Sequence, residues 1–214
     1  MTDDAFGRQV VQYSTAGALL AALDARDRYT AGHSAAVAIY ARDIARQLSL
    51  SDEGQRVAHL SGLLHDIGKV GLPPGLLERS GALTPDERRQ MEEHPEIGER
   101  ILAKAEGLDE LARIVRHHHE RVDGTGYPDG LAGEAIPLFA RIVAVAEAYN
   151  AMTSDRPDRD AMPTRVARLQ LMQGAGSRFD AEVVAAFEAI LAEAADDYRT
   201  ATREDFNVSA EISS

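Results

Sequence analysis

The stretch His65-Asp66-Ile67-Gly68-Lys69 sets an imidazole beside a carboxylate, with an ammonium three residues further on. Imidazole nitrogen and carboxylate oxygen are ligands for divalent ions, and the lysine can answer an anionic substrate. Downstream stand His94, the run His117-His118-His119-Glu120 and the acidic Glu147, and the histidine run opens onto Asp123-Gly124-Thr125-Gly126-Tyr127-Pro128. So many N and O donors in a chain without cysteine describe a hard-to-borderline site, suited to iron, manganese or zinc. Taken singly, each histidine has a plainer reading: His65 as a hydrogen-bonded core residue, His94 as a cap beside Pro95, the triple run as a helix end favoured by the macrodipole. Neighbours on a helix project about 100° apart, so His118 and His119 suit two adjacent ions better than one. Two-metal hydrolysis needs a bridging carboxylate between ions roughly 3.5 to 4 Å apart. Asp66, beside a candidate ligand at a helix end, is the candidate bridge.

The elements that must position these groups read as helices. Leu19, Leu20 and Leu23 predict a first one from Thr15, interrupted near Asp27 to Thr30, and a second follows Gly32 with Val37, Tyr40, Ile44 and Leu48 along one side. Ser51 caps a third, whose Val57, Leu60, Leu64 and Ile67 carry His65 and Asp66 inward before Gly71-Leu72-Pro73-Pro74 ends it. Thr84-Pro85-Asp86-Glu87 forms a capping box for a helix running to His94, where Pro95 forces a boundary ahead of Ile97, Ile101 and Leu102. After Gly107, Leu111, Ile114 and Val115 mark a helix that ends in the histidines. Residues 121 to 138 form a Gly- and Pro-rich loop, long enough to carry function. Leu138 to Met152 is the most apolar helix and should lie central, with Glu147 on an otherwise Ala, Val and Ile face. Pro157 and Pro163 punctuate the exit, a helix follows to about Met172, and Asp180 caps a last one through about Ala194.

At 214 residues the chain most simply makes one domain: a lead-in over 1–13, a single domain over 14–199 and a mobile tail over 200–214. With Met1 so near the domain start, no receiver or other sensory module is expected ahead of it in this sequence, which is either a free-standing enzyme or an excised piece of a longer one. Its hydrophobic content of 44% with few aromatics and no tryptophan favours packed helices over a β sandwich. The net charge of -12 argues against DNA, RNA and anionic membranes as partners. Any anionic substrate must be held locally, by metal ions and a few placed cations. No cysteine, no signal peptide and no membrane-length apolar run fit a cytoplasmic protein. His59 and His117 read as partly exposed or solvated helix residues, and Arg121 as a surface arginine.

The spaced order of His65-Asp66-Ile67-Gly68-Lys69, His94-Pro95, His118-His119-Glu120 and Asp123-Gly124-Thr125-Gly126-Tyr127-Pro128 resembles the HD-GYP family of bacterial cyclic di-GMP phosphodiesterases. The likeness runs from about Asp24 to Met162 and includes Tyr29-Thr30, Gly32-His33-Ser34 and Ala140-Arg141-Ile142. It implies an all-α, HD-type helical bundle with a Gly/Pro-rich loop carrying the Gly-Tyr-Pro motif. It also implies a centre of two divalent ions, iron or manganese before zinc, and hydrolysis of cyclic di-GMP to linear pGpG or onward to GMP. By the same resemblance His65, Asp66, His94, His118 and His119 are metal ligands, with Glu147 where the family usually has an aspartate. Lys69, Arg156 and Arg159 meet substrate phosphates, Tyr127 lines the guanine or ribose pocket, and Asp66 and Lys69 take part in catalysis.

The departures set up the rival readings. Glu147 adds a methylene that shifts a ligand oxygen by about 1 Å, Asn150 replaces a position often acidic, and Asp158 lies between the two proposed arginine contacts. These features favour a module that binds cyclic di-GMP, or a protein partner at the Gly-Tyr-Pro loop, without turnover. A second rival is an HD-type phosphohydrolase of another nucleotide, against which the Gly-Tyr-Pro loop argues. Family members with a third ion place a glutamate where this chain has Tyr29, so two ions are expected, with His33 free to contact substrate, water or a neighbouring carboxylate.

Overall fold

The computed structural model describes residues 15–19, 21–23, 30–77, 81–155, 160–203 and 206 of the protein. Residues 15–19 and 21–23 are helical, and nine further helices follow among the described residues: α1 (Thr30–Gln47), α2 (Asp52–Leu64), α3 (Pro85–Met91), α4 (His94–Leu102), α5 (Asp109–His117), α6 (Leu138–Thr153), α7 (Thr164–Gly174), α8 (Ala181–Glu193) and α9 (Asp196–Arg199). Short 3-10 turns cover Ile67–Gly71 and Gly133–Ala135, and no strand is formed by any described residue.

Local chemistry sets the helix ends. Ser51 accepts the Gly54 N–H at the start of α2. Thr84 and Glu87 bond reciprocally at the start of α3, and Asp180 accepts from the N–H groups of Glu182 and Val183 at the start of α8. Each cap satisfies backbone donors that the first turn leaves without partners. Two ends differ from expectation. Helix α1 begins at Thr30 and takes Gly32 and His33 into its first turns, and α3 stops at Met91 so that His94 opens α4 with Pro95 behind it. Proline at that place is harmless, because its missing N–H would have had no acceptor.

Helix α1 is the axis. Its alanines leave room for backbone approach, and Gly62 of α2 lies so close that an added Cβ would be 2.5 Å from the Ala38 Cα. One core surrounds Tyr40, Tyr149, Leu171 and Phe187 from α1, α6, α7 and α8. The other gathers Leu60, Leu64, Ile67, Leu102, Leu111 and Val115 from α2, the first 3-10 turn, α4 and α5. Burial of these side chains contributes roughly 1.5 to 3 kcal/mol each. The apolar helix α6 packs on α1 and α2, as its composition requires.

Tyr40 closes the first core. Its hydroxyl donates to the Tyr198 carbonyl at 2.7 Å, and its ring meets those of Tyr149, Phe187, Tyr198 and Phe206 at 5.2 to 5.6 Å. Phe206 is 3% exposed, so this part of the expected mobile tail is packed. Residues 207–214 lie outside the described residues.

Candidate metal centre

Close packing of α1 on α2 brings the His33 and His65 rings within 5.3 Å, edge to face. His65 is the C-cap of α2, and Asp66 at φ -94°, ψ 4° turns the chain into the 3-10 segment. The segment then packs against α4, where His94 stands. His118 caps α5 and His119 follows it, so the two neighbouring rings leave a helix end rather than a regular helix. Their centroids are 4.1 Å apart. His65, Asp66, His94 and His118 are each at most 2% exposed.

Backbone bonds choose the nitrogen that each ring presents. The Nδ1–H groups of His65, His94 and His118 donate to the carbonyls of Gly62 (2.8 Å), Met91 (2.8 Å) and Val115 (2.6 Å), each three residues back. That fixes the tautomer and leaves an Nε2 lone pair facing the centre. The Nε2 atoms of His94 and His118 lie 3.3 Å apart, lone pair against lone pair in neutral rings. His65 Nε2 is buried without a hydrogen-bond partner, 3.3 Å from Asp66 Oδ2. Converging unprotonated donors of this kind fit a divalent cation.

The donors fall into two sets. One ligand atom each from His94, His118 and His119 lie within 4.8 Å of one another, and the same holds for His33, His65 and Asp66. Asp66 reaches both: its Oδ1 is 3.4 Å from His94 Nε2, and its Oδ2 is beside His65 Nε2 and 2.6 Å from Lys69 Nζ. His33 thus lies among groups that could share an ion, with the Asp66 carboxylate in the same cluster. Its Nδ1 bonds the Asn150 Oδ1 at 2.6 Å, across 117 residues of chain, which leaves Nε2 as the donor. Sequence spacing carried no signal for that pairing.

Other expected site residues stand at varying distances. Glu147 Oε2 is 3.9 Å from His119 Nδ1 and belongs to neither set. The Tyr127 ring lies over His119 with centroids 4.9 Å apart and planes 32° from parallel. Arg156, Asp158 and Arg159, like Tyr29, lie outside the described residues. Arg121 pairs with Asp123 and keeps its surface reading. His59 and His117 do not: each is 8% exposed, and His117 bonds the Arg113 carbonyl and approaches Asp129 at 2.9 Å. Asp129 reaches His117 from the loop beyond Tyr127, a contact that a helical wheel does not show.

Burial favours the neutral form of four of these imidazoles in the metal-free protein. It pushes His33 down to about 4, with His65 adding to the effect, and holds His94, His118 and His119 below the usual histidine range. His65 differs: burial opposes its charged form, but the Asp66 carboxylate outweighs it and raises the pKa. Burial likewise opposes ionisation of Asp66, and Lys69 followed by His65 overcomes it, keeping the carboxyl well below its usual value. Four depressed histidines against one raised fix the sign of the pH dependence. Between about pH 6.5 and 4 the unfolded chain takes up more protons than the folded one, so stability falls with acidification. The metal-free protein is expected to lose about 5 °C or more in Tm between pH 7.5 and 5. Thermal unfolding by circular dichroism in a chelator checks this, and a flat profile would contradict it.

A family model described as the HD domain matches residues 18–183. A 3'3'-cGAMP-specific phosphodiesterase of Vibrio cholerae is 40% identical over 176 residues, covering 82% of this chain and 38% of the relative. A cyclic di-GMP phosphodiesterase of Pseudomonas aeruginosa is 41% identical over 185 residues, covering 86% and 44%. The chain spans half or less of the length of such curated relatives. Among solved structures, a cyclic GMP-AMP phosphodiesterase of Vibrio cholerae superposes with TM-score 0.52 at 35% identity, over 82% of this chain and 40% of that one. An HDG"Y"P protein of Bdellovibrio bacteriovorus shares the fold, with TM-score 0.60 at 22% identity over 75% of this chain and 51% of that one.

Proposed function

The chain belongs to the HD domain family, and on that premise we propose that it is a metal-dependent phosphodiesterase that opens cyclic di-GMP to linear pGpG or on to GMP. The observation that carries the reading is the pair of largely buried donor sets, both of which Asp66 reaches. His33, His65 and Asp66 would hold one divalent ion and His94, His118 and His119 a second, with Asp66 common to both. Iron or manganese suits this all-N,O set, and zinc is possible. Ions bound there supply Lewis-acid polarisation of a phosphoryl oxygen and an acidified water as nucleophile.

The chain's own groups do the rest. Lys69, 22% exposed at its side chain and held by Asp66, offers a cation to the phosphate or a proton to the leaving oxygen. Tyr127 supplies an aromatic face beside His119 for a base or ribose. Arg156 and Arg159 remain assigned to the substrate phosphates. Residues 14–199 act as one domain in this reading, in the cytoplasm, where cyclic dinucleotides are available as substrates. No helix among the described residues is long and apolar enough to cross a membrane.

The departures at Glu147 and Asn150 favour a second reading, in which the protein binds cyclic di-GMP, or a partner protein through the exposed edge of the Gly-Tyr-Pro loop, without turnover. Chromatography of products from iron- or manganese-loaded protein separates the readings. Linear product identifies the enzyme, saturable binding without product identifies the module, and parallel assays with 3'3'-cGAMP test the choice of substrate. Elemental analysis of anaerobically purified protein is expected to give about two ions per chain. Glu147→Gln should lower that occupancy and Glu147→Asp preserve it, since a carboxylate on so apolar a helix is costly without a cation. Normal occupancy in Glu147→Gln would leave Glu147 outside the centre.

A further inference from the structure

Glu120 belongs to neither donor set, yet it is 4% exposed and stands one residue past His119. An interior carboxylate is costly unless fixed donors serve its oxygens. Here backbone supplies them: Oε1 accepts the Asp129 N–H at 2.7 Å and Oε2 the Leu131 N–H at 3.1 Å. Among the described residues it forms no ion pair, so all its order is spent on these two donors. Hydrogen bonds to an ionised acceptor are the stronger kind. They tie the end of α5 to the far side of the loop and close residues 121–128 into a ring of chain.

Inside that ring little can move. The Tyr127 N–H points back to the His119 carbonyl at 3.4 Å. Gly126 rests on the start of the loop so closely that an added Cβ would lie 2.4 Å from Arg121 N and 2.5 Å from Glu120 Cα. Asp123 Oδ1 accepts from both the N–H and the hydroxyl of Thr125. Outside the ring a second clasp acts on the same residue that Glu120 grips. Arg116 of α5 forks onto the Asp129 carboxylate, with both contacts at 2.7 Å, and extends to Glu99 of α4.

We infer that Glu120 is a positioning residue: by fastening the far end of the loop it holds the Tyr127 ring against His119 before substrate arrives. The shape of the acceptor is decisive. Two N–H donors two residues apart need two acceptor oxygens, and glutamine of the same size offers one oxygen and turns an NH2 toward the other donor. One partly buried N–H then loses its protein partner, and the loop loosens at the point that fixes Tyr127. His118 stays in place, because it is locked by the Val115 carbonyl and not by Glu120. Only the kinetic arm of the test rests on the proposed substrate contact of Tyr127.

The test uses metal-loaded protein labelled with 3-fluorotyrosine, the Tyr127 resonance being assigned by its disappearance in Tyr127→Phe. Without substrate, Glu120→Gln is expected to shift or broaden that resonance while metal content stays at the parent value. Arg116→Met, which removes the outer clasp and leaves Glu120 intact, is expected to do so more weakly. In assays with cyclic di-GMP, KM should rise about tenfold in Glu120→Gln with kcat changed by less than about threefold, the pattern of lost preorganised binding. An unchanged Tyr127 resonance in Glu120→Gln overturns the inference. If that variant does not fold, an unchanged resonance in Arg116→Met overturns it instead. A changed resonance with an unchanged KM upholds the positioning role and removes Tyr127 from the substrate contacts.

Discussion

Replacing Asp66 by alanine is expected to strip the protein of most bound divalent metal and to reduce cyclic di-GMP hydrolysis at least about a thousandfold, with helical circular dichroism retained. Its two oxygens face different parts of the centre, Oδ1 toward His94 and Oδ2 toward His65 and Lys69. Loss of any one histidine removes a neutral donor from one set. In the proposed two-ion centre, loss of Asp66 would remove the anion common to both sets and leave two cations to repel across a space of low dielectric. Lys69 loses its carboxylate partner in the same step. His65→Ala is likewise expected to remove most bound metal and abolish hydrolysis. Metal analysis beside product chromatography decides the matter: parental metal content and turnover in Asp66→Ala would remove this residue from the site.

The second large effect is expected at a residue without a side chain. Gly68, in the 3-10 turn after Asp66, lies so near α4 that a Cβ would sit 1.8 Å from the His94 carbonyl oxygen and 2.6 Å from Gly98 N. Both neighbours are backbone, so no rotamer change can relieve the clash. Gly68→Ala must push the turn and α4 apart, at a cost of about 3 kcal/mol or more. The displacement falls on the joint between Asp66 and His94, the junction of the two donor sets. The variant is expected to melt roughly 6 °C or more below the parent and to bind metal at least about tenfold more weakly. Differential scanning calorimetry and metal titration check both numbers. Parental affinity would mean that the turn and α4 can separate without disturbing the ligands.

Much of this architecture could be read from residue order because its causes are local. The Thr84–Glu87 capping box, the Asp180 cap and the apolar stretch from Leu138 need only a few neighbours to act, and all three are present. The types of the candidate donors were legible for the same reason. What the sequence hid were pairings between distant segments: His33 with Asn150, His117 with Asp129, and Glu120 with the backbone beyond Tyr127. A histidine on a helical wheel gives no hint of a partner that arrives from another helix or a returning loop. Phe206 misled through its polar neighbours, because one large aromatic side chain is enough to pin a segment onto Tyr40.

The bond between the Tyr40 hydroxyl and the Tyr198 carbonyl spans 158 residues. A ribosome adding roughly 5 to 20 residues per second needs about 8 to 30 s to make that much chain. During this interval α1 has been made, but the last aromatic partners of Tyr40 have not. Every metal ligand proposed here precedes Tyr149, so the whole donor set leaves the ribosome before the core behind it can close. A nascent chain thus carries every proposed ligand, His33 alone of them on the axis helix, while the other face of that helix is still open to water.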